Sequence, residues 1–222
     1  MTELMRRRRA LMGVASQGGG GHSLPAEYQE VTWIESTGTQ WINTDISLGS
    51  DTFSCEIKFY KQSQVTASLG IVSLWQYPDS DQRFSINFRN SANKYGIYDG
   101  SWSESVFSQL YGNDVVAEVQ YSTSPSLLKA TVTANGLSDT ITNTRQKNSV
   151  VGTHILLFAA TQNATRTPCR IMYCRFLENG IAVANLIPCY RKSDTGIGMY
   201  DLVGNKFYGN SGYGTFLKGA DV

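Results

Sequence analysis

The acidic residues and histidines of this chain are spaced too widely for a hydrolytic or metal site. A glycoside hydrolase needs two carboxyl groups about 5 to 9 Å apart, and residues an odd number apart on a strand point to opposite faces. Glu30 and Glu35 are five residues apart, and Glu118 stands alone in the run VVAEVQY. The two histidines, His22 and His154, are far apart in sequence and predict no metal pair. The sequence therefore predicts no catalytic residue and no metal centre.

Two loop motifs lack part of the ligand set that phosphate or calcium requires. Gly196-Ile197-Gly198 has neither the strand-to-helix setting nor the third glycine of a phosphate-binding loop. Asp79-Ser80-Asp81 offers two carboxylates, whereas Ca²⁺ takes six or more oxygen ligands. Calcium at this loop stays an open alternative, and no other cofactor is predicted.

Aromatic residues beside acidic side chains form the candidate binding surface. The chain has 4 Trp and 12 Tyr, and several of them flank turn-rich segments. Sugar-binding sites stack aromatic rings on the apolar faces of pyranoses and hold the hydroxyl groups with carboxylates and amides. The alternative is that these large side chains only cap the open ends of a sandwich. The candidate sugar-binding residues are Trp75, Tyr77, Asp79, Asp81, Tyr95, Tyr98 and Trp102.

From Leu24 onward the apolar pattern has a period of two, which is typical of strands. The turn pairs Asp99-Gly100, Asn135-Gly136 and Asn179-Gly180 tolerate positive φ and favour hairpins. Many short strands separated by such turns indicate an all-β fold, an antiparallel two-sheet jelly-roll sandwich. The predicted strands are 31–34, 39–46, 52–60, 68–75, 83–88, 94–98, 115–121, 127–134, 154–161, 169–177 and 181–187.

The hairpin around Asn179-Gly180 allows a prediction of register. A two-residue loop pairs Glu178 with Ile181, which sets Cys174 opposite Asn185 and Cys189 opposite Arg170. In that register Cys174 and Cys189 are about 13 Å apart, beyond the reach of a disulfide. Four cysteines are also too few for a disulfide framework in a chain of this length, and none forms a CxxC pair, so we expect all four to be free and mostly buried. The hairpin is apolar on both faces, so we expect it to be central in its sheet.

The first 23 residues differ in composition from the rest of the chain. Residues 1–21 hold four Arg and one Glu, a net charge of +3, whereas 15 basic and 17 acidic residues give the remainder −2. A body of this charge predicts no nucleic-acid binding. Thr2 can cap a short helix that Gly13 ends, and a tether, Gln17-Gly18-Gly19-Gly20-Gly21, follows. The helix would carry an assembly anchor formed by Leu4, Met5, Arg6, Arg7, Arg8, Arg9, Leu11 and Met12.

The length of 222 residues favours one β domain at 24–222, preceded by the anchor and linker at 1–23. No apolar run reaches the roughly 18 to 20 residues of a membrane span. The apolar run after Arg9 is shorter than a signal-peptide core and is broken by Gly13, so we expect no signal peptide and no membrane partner.

Two segments resemble a known family. LPAEYQEVTWIESTGTQWINTDI (24–46) is similar to openings of the type YIESTGTQYIDTGI, with Trp33 and Trp41 where tyrosine is usual. CRFLENGIAVANLIPCYRKSDTGIGMYDLVGNKFYGNSGYGTF (174–216) is similar to endings with an IPC, a MYD box and an FY-x-N-x-G-x-GTF signature. The family comprises concanavalin A-like, laminin-G-like jelly-roll proteins of phages and prophages of gut bacteria.

The resemblance implies three structural details. Gly38 in STGTQ would turn between two strands paired as a hairpin, Pro188 would end the last long strand, and a final hairpin would turn at Val203-Gly204-Asn205. The motifs indicate architecture and carry no catalytic residue.

The resemblance also implies a function. We expect a non-enzymatic virion protein of a phage or prophage, tail-associated, a fibre or a decoration, made in the bacterial cytoplasm. It would bind other virion proteins through the N-terminal segment and a host-surface glycan through its loops, and a homotrimer would fit by analogy with displayed appendages. One alternative is a bacterial carbohydrate-binding module for adhesion. The other is a glycoside hydrolase on the same fold, for which Glu118 or Asp81 would be required.

Overall fold

The computed structural model describes residues 22, 24–61, 69–75, 82–89, 94–108, 112–143, 148–161 and 166–222. The predicted N-terminal helix, the anchor residues and the glycine tether lie outside these residues. Tyr77, Asp79 and Asp81 lie outside them as well.

The described part of the chain is built from strands. They are β1 (Tyr28–Glu30), β2 (Ile34–Glu35), β3 (Ile42–Ser47), β4 (Thr52–Tyr60), β5 (Leu69–Trp75), β6 (Gln82–Arg89), β7 (Lys94–Tyr98), β8 (Trp102–Ser108), β9 (Asp114–Thr123), β10 (Ser126–Ala134), β11 (Leu137–Asn143), β12 (His154–Leu157), β13 (Arg170–Glu178), β14 (Ile181–Arg191), β15 (Ile197–Asp201), β16 (Lys206–Tyr208) and β17 (Leu217–Lys218).

Two antiparallel sheets pack face to face, which confirms the predicted sandwich. The larger sheet has the order β11-β10-β9-β4-β13-β14-β15-β16, with β1 beside β14 and β2 between β13 and β17. The smaller sheet has the order β3-β12-β5-β6-β7-β8. Between them Phe53 packs 5.2 Å from Phe84, and Phe59 packs 5.5 Å from Phe88, measured between ring centroids. These aromatic pairs join the two sheets through one core.

The predicted turn residues have the expected backbone. Asn135 and Gly136 have φ of 52° and 74°, and Asn179 and Gly180 have φ of 48° and 82°, as two-residue hairpin loops require. The Asp99-Gly100 turn is longer by one residue, because Tyr98 pairs with Trp102. The structure adds strands that the sequence analysis did not include, among them β8 and β11.

The register predicted for the β13–β14 hairpin is wrong beyond its first two pairs. Glu178 lies opposite Ile181 as expected, but a bulge between Phe176 and Leu177 shifts the ladder, so Cys174 lies opposite Leu186. The extra residue in the bulge, Val183, turns Ala184 and Leu186 onto the buried face that Cys174 and Phe176 share.

Two predictions are confirmed: the four cysteines are free and buried, and the hairpin is central in its sheet. Cys55, Cys169, Cys174 and Cys189 are free and buried. Cys189 pairs with Glu30 of β1 and Gly198 of β15 rather than with Arg170. The hairpin lies inside its sheet, with β4 on one side and β15 on the other.

Pro188 does not end a strand, because β14 continues to Arg191. On one side of β14 the neighbouring strand changes at this proline. β13 pairs with β14 as far as Leu186, and β1 pairs with it at Cys189 and beyond. A proline is tolerated at such a changeover because its missing N–H is not needed by either ladder.

The STGTQ turn does not join a hairpin. Ile34 of β2 pairs in the larger sheet, whereas β3 belongs to the smaller sheet, so the turn carries the chain from one layer to the other. Gly38 has φ of 111°, which only glycine adopts easily. Ser36 Oγ donates to the Gln40 carbonyl over 2.8 Å, which fixes the crossing.

The opening and closing motifs of the chain contact each other. The closing loop (residues 209–214) follows β16 and runs along β3, where Ser211 N donates to the Trp41 carbonyl over 2.8 Å. The added Cβ of any other residue at Gly212 would lie 2.2 Å from the Thr39 carbonyl oxygen, so the approach needs glycine. This contact brings β16 of the larger sheet to the edge strand β3 of the smaller one.

Candidate functional site

The outward face of the smaller sheet holds most of the functional candidates. Val72, Leu74 and Ile155 lie in the core, so the residues that alternate with them point outward. We call this surface the outer face. Its central row, read across the six strands, is Asn43, Leu156, Ser73, Ser85, Tyr98 and Trp102.

The middle of the outer face is covered, and its two ends are open. Leu156, Ser73 and Ser85 have no exposed surface. Ser73 Oγ donates to the Ala159 carbonyl over 2.9 Å, so the chain after β12 lies over this part of the sheet. A ligand can therefore reach the face at its β7–β8 end or at its β3 end. Five strand spacings of about 4.8 Å separate the two ends by about 24 Å.

At the β7–β8 end, Tyr98 and Trp102 form an aromatic pair that we call the aromatic edge. Their ring centroids are 5.1 Å apart with the planes tilted by 56°, and 39% of Trp102 is exposed. The pair forms because Tyr98 lies opposite Trp102 across a tight turn in which Gly100 has φ of 94°. An added Cβ on Gly100 would lie 2.6 Å from Asn148 Nδ2, so an amide group lies against this turn.

The structure brings Tyr98 and Trp102 together and separates the other described candidates from them. Trp75 lies opposite His154 on the outer face, but only 2% of it is exposed, so its ring cannot stack on a sugar. Tyr95 lies opposite Phe88 in the core and is fully buried. Burial, and secondarily the charge of Asp139, raises the pKa of Tyr95. The predictions for Trp75 and Tyr95 are therefore corrected, and those for Tyr77, Asp79 and Asp81 stay predictions.

At the β3 end, the outer face opens into a cleft of about 400 Å³ that we call the Asp45 cleft. Tyr208 Oη donates to Asp45 Oδ1 over 2.6 Å, and Lys206 Nζ donates to Asp45 Oδ2. These hydrogen bonds, that of Lys206 first, hold the pKa of Asp45 below its usual range. Burial, and then Asp45, raises the pKa of Tyr208. The cleft is lined by Asn43, Asp45, His154, Lys206 and Tyr208.

The last hairpin of the chain carries Lys206 and Tyr208 to the cleft. It turns at Val203-Gly204-Asn205 as predicted, with Asp201 opposite Lys206. The buried carboxylate of Asp201 accepts hydrogen bonds from the backbone N–H groups of Asn185, Val203 and Gly204, at 2.8, 3.1 and 2.9 Å. The aspartate of the MYD box thus shapes the turn that orients the two cleft residues.

The sequence analysis did not identify the Asp45 cleft or Asn148. Asp45 and Lys206 are 161 residues apart, and they meet only because the closing loop pairs with the edge of β3. One signal was available: the opening motif includes Asp45 and the closing motif includes Lys206 and Tyr208. Asn148 carried no signal, because it joins the β7–β8 turn from a distant loop.

Two carboxylates lie opposite each other on the outward face of the larger sheet. Glu56 of β4 pairs directly with Glu118 of β9, and directly opposed residues have Cβ atoms about 4.5 to 5.5 Å apart. On the side of Glu56 away from Glu118, Tyr173 Oη of β13 donates to Glu56 Oε1 over 2.5 Å, and Arg175 of β13 lies directly opposite Glu56. Burial, and then the bond to Glu56, raises the pKa of Tyr173. Glu118 is exposed and does not stand alone in the fold, because Glu56 lies opposite it, a pairing that was not predicted from the sequence.

Among the described residues, no three His, Cys, Asp or Glu side chains are grouped closely enough to hold a metal ion. No helix in that part of the chain is long and apolar enough to cross a membrane. The calcium alternative at Asp79 and Asp81 lies outside the described residues and stays a prediction.

Known proteins resemble this chain in structure and not in sequence. No protein-family model and no curated protein matches the sequence. The CBM40 of the Ruminococcus gnavus IT-sialidase, bound to α2,3-sialyllactose, is 14% identical, with a TM-score of 0.50 over 67% of this chain and 90% of that one. A candidate carbohydrate-binding protein from Bacteroides ovatus is 9% identical, with a TM-score of 0.50 over 87% of this chain and 62% of that one. At these identities the likeness shows the fold alone, a two-sheet jelly-roll sandwich.

Proposed function

We propose that this protein is a non-catalytic carbohydrate-binding domain that binds glycans at the aromatic edge. The exposed Trp102 ring, supported by Tyr98, is the observation that carries the proposal. The exposed part of the indole can stack on the apolar face of a pyranose. The amide of Asn148 beside the same turn can hold the hydroxyl groups that a stacked sugar presents.

The fold supports this assignment. The two structures with TM-scores of 0.50 are both described as carbohydrate-binding. A shared fold does not fix a function by itself, so the aromatic edge and not the likeness carries the argument.

We further propose that the domain is displayed on a phage particle and attached through residues 1–21. His22 Nδ1 lies 2.9 Å from Glu30 Oε1, so the described chain starts beside β1. β1 pairs with β14, and β14 lies five strand positions from β11 in the larger sheet. β11 in turn contacts β8 of the smaller sheet, where Asn143 Nδ2 donates to Ser103 Oγ over 3.2 Å. Five spacings of about 4.8 Å make about 24 Å, so an anchor before His22 would attach the domain about that far from the aromatic edge. A homotrimer would fit such a displayed domain, and a bacterial adhesion module is the alternative function.

The binding proposal is tested on a glycan array followed by calorimetry. We expect the full chain to bind a subset of bacterial surface glycans, and Trp102→Ala to weaken that binding at least tenfold, about 1.4 kcal/mol. Leu137→Ala is the control, because it removes an exposed apolar side chain from the tip of the β10–β11 hairpin. Equal affinity of wild type and Trp102→Ala would remove the aromatic edge as the binding site.

The same samples test the hydrolase alternative, which the opposed Glu56 and Glu118 keep open. Bound glycans are incubated with the protein and analysed by mass spectrometry. We expect intact glycans. Shortened products that disappear in Glu118→Gln would replace the binding proposal with hydrolysis at the larger sheet.

The display proposal is tested by truncation. We expect a chain lacking residues 1–21 to fold with an unchanged melting temperature and to keep its glycan affinity. It should not co-purify with phage particles when it is supplied in place of the full chain. Equal incorporation of both chains would contradict an anchor in this segment.

A further inference from the structure

The Asp45 cleft has the size and chemistry of a second binding site on the outer face. Its volume of about 400 Å³ lies within the range of about 300 to 1,000 Å³ for small-molecule sites. Its wall comes from both sheets, with Asn43, Asp45 and His154 from the smaller sheet and Lys206 and Tyr208 from the larger one. The closing loop holds the two sheets together here, so the cleft is formed before any ligand arrives.

The polar groups of the cleft alternate between acceptor and donor. The Asp45 carboxylate has about four acceptor positions, and the hydrogen bonds from Lys206 and Tyr208 use two of them. The Lys206 ammonium has three protons, of which Asp45 takes one. Asn43 adds an amide with both donors and an acceptor. The carboxylate is 61% exposed, so a ligand can reach it.

A vicinal diol matches this arrangement. One hydroxyl can donate to Asp45 while its neighbour on the ring accepts from Lys206, so both partners gain charge-assisted hydrogen bonds. The opposite charges of Asp45 and Lys206 cancel, which leaves no net charge to attract an ionic ligand. An acidic sugar bound in the same pose, with its carboxylate in place of the hydroxyl that donates to Asp45, would be repelled by that side chain.

We infer that the Asp45 cleft holds a vicinal diol of a neutral hexose, as a subsite separate from the aromatic edge. The inference rests on the proposed carbohydrate binding and adds a second position and a sugar class to it. The covered residues Leu156, Ser73 and Ser85 lie between the two positions, so one short oligosaccharide does not run along the face through both. Two positions about 24 Å apart instead allow two branches, or two neighbouring glycans, to be held at once.

The test uses the full chain and methyl hexosides as probes. Methyl glucoside, mannoside and galactoside, and methyl glucuronide, are titrated into isotope-labelled protein and followed by NMR. We expect at least one neutral hexoside to shift the signals of Asn43, Asp45 and His154. Asp45→Asn should weaken this binding at least fivefold, and the glucuronide should bind at least fivefold more weakly than the neutral sugar.

The control is Asp114→Asn, which breaks another exposed aspartate–lysine pair, with Lys58 at 2.8 Å, on the larger sheet. It should leave the hexoside affinity unchanged. Shifts confined to Trp102, unchanged affinity in Asp45→Asn, or no hexoside binding at the cleft would each overturn the inference. If glycans still bind and Trp102→Ala abolishes that binding, the carbohydrate proposal stands without the cleft; if no glycan binds the wild type, both fail.

Discussion

The two open ends of the outer face offer a ligand different kinds of surface. The aromatic edge is made from one hairpin, β7–β8, whose residues are neighbours in sequence, and its main surface is apolar. The Asp45 cleft is made from strands far apart in sequence, and its surface is polar and charged. In the proposed function, stacking at the first end would tolerate many sugars, because it contacts the apolar face of a ring. Hydrogen bonding at the second end would discriminate by the positions of the hydroxyl groups.

The aromatic edge and the Asp45 cleft also differ in how far they depend on the stability of the whole fold. The aromatic edge needs only a local turn, so changes elsewhere should affect it little. The cleft depends on the contact of the closing loop with β3, and therefore on the global closure of the sandwich. A substitution at that contact should disturb the cleft and leave the aromatic edge intact, which separates the two ends experimentally.

Gly212→Ala should have the largest effect. Its Cβ would lie 2.2 Å from the Thr39 carbonyl oxygen and 2.8 Å from Trp41 Cδ1, so the closing loop must move away from β3. We expect the free energy of unfolding to fall by about 1 to 3 kcal/mol, the usual cost of overpacking. Urea denaturation measures this loss. NMR should show shifts at Asp45 and Tyr208 and none at the Trp102 indole.

Gly209→Ala is the matched control for that change. It lies in the same closing loop, but its Cβ would meet Phe207 Cε1 at 3.4 Å, close to ordinary contact. We expect a change below about 0.5 kcal/mol. Equal destabilisation by both substitutions would show that the loop tolerates no side chain in general, and that the contact with Thr39 is not specific.

Gly100→Ala should have an intermediate effect, at the other end of the face. Alanine is strained at φ of 94°, and its Cβ would displace the Asn148 amide. We expect a loss of about 1 kcal/mol in stability and weaker glycan binding at the aromatic edge, with the Asp45 cleft unchanged. Denaturation and calorimetry with the glycan found on the array measure the two effects.

Gly136→Ala is the control for Gly100→Ala, because it introduces similar backbone strain without displacing the Asn148 amide. Gly136 has a similar φ of 74° at the β10–β11 turn, but nothing lies within 4 Å of its added Cβ. It should therefore cost similar stability and leave glycan binding intact. A loss of binding in both variants would assign the effect to stability alone and not to Asn148.

Local features of the molecule were predicted from the sequence better than distant contacts. Strand periodicity and Asn-Gly turns act over a few residues, and they predicted the sandwich. The final hairpin was implied by the family resemblance, and the free cysteines were predicted from their number and spacing. The bulge at Val183 has no signal in the hydrophobic pattern, because both faces of that hairpin are apolar, and it shifted the register.

The candidate site shows the same limit. Tyr98 and Trp102 could be paired from sequence because one turn joins them, whereas the periodicity of two does not say which face of a strand meets the other sheet. Tyr95 was therefore placed with the surface aromatics although it points into the core. Asp45 and Lys206 meet through sheet closure, which no local pattern reports.

The smallest expected effect is on the ionisation of Asp45. Hydrogen bonds from Lys206 and then Tyr208 lower its pKa in the folded chain. The carboxylate therefore stabilises the fold above the unfolded value of about 3.9, and this contribution is lost as the pH falls through the lower folded pKa. Because the group is 61% exposed, we expect well below about 1 kcal/mol.

An NMR titration of the Asp45 carboxyl carbon measures the effect directly. Lys206→Met should raise the pKa of Asp45 toward its ordinary value, and Tyr208→Phe should raise it less, since Lys206 contributes the larger hydrogen bond. Asp194, whose pKa is lowered by Arg191, is the internal reference and should not change. Hexoside binding at the cleft should weaken as Asp45 becomes protonated, while stacking on Trp102, which carries no charge, should persist. An unchanged Asp45 pKa in Lys206→Met would mean that Asp45 and Lys206 do not pair in solution. The Asp45 cleft would then lack the alternating donors and acceptors that distinguish it from the aromatic edge.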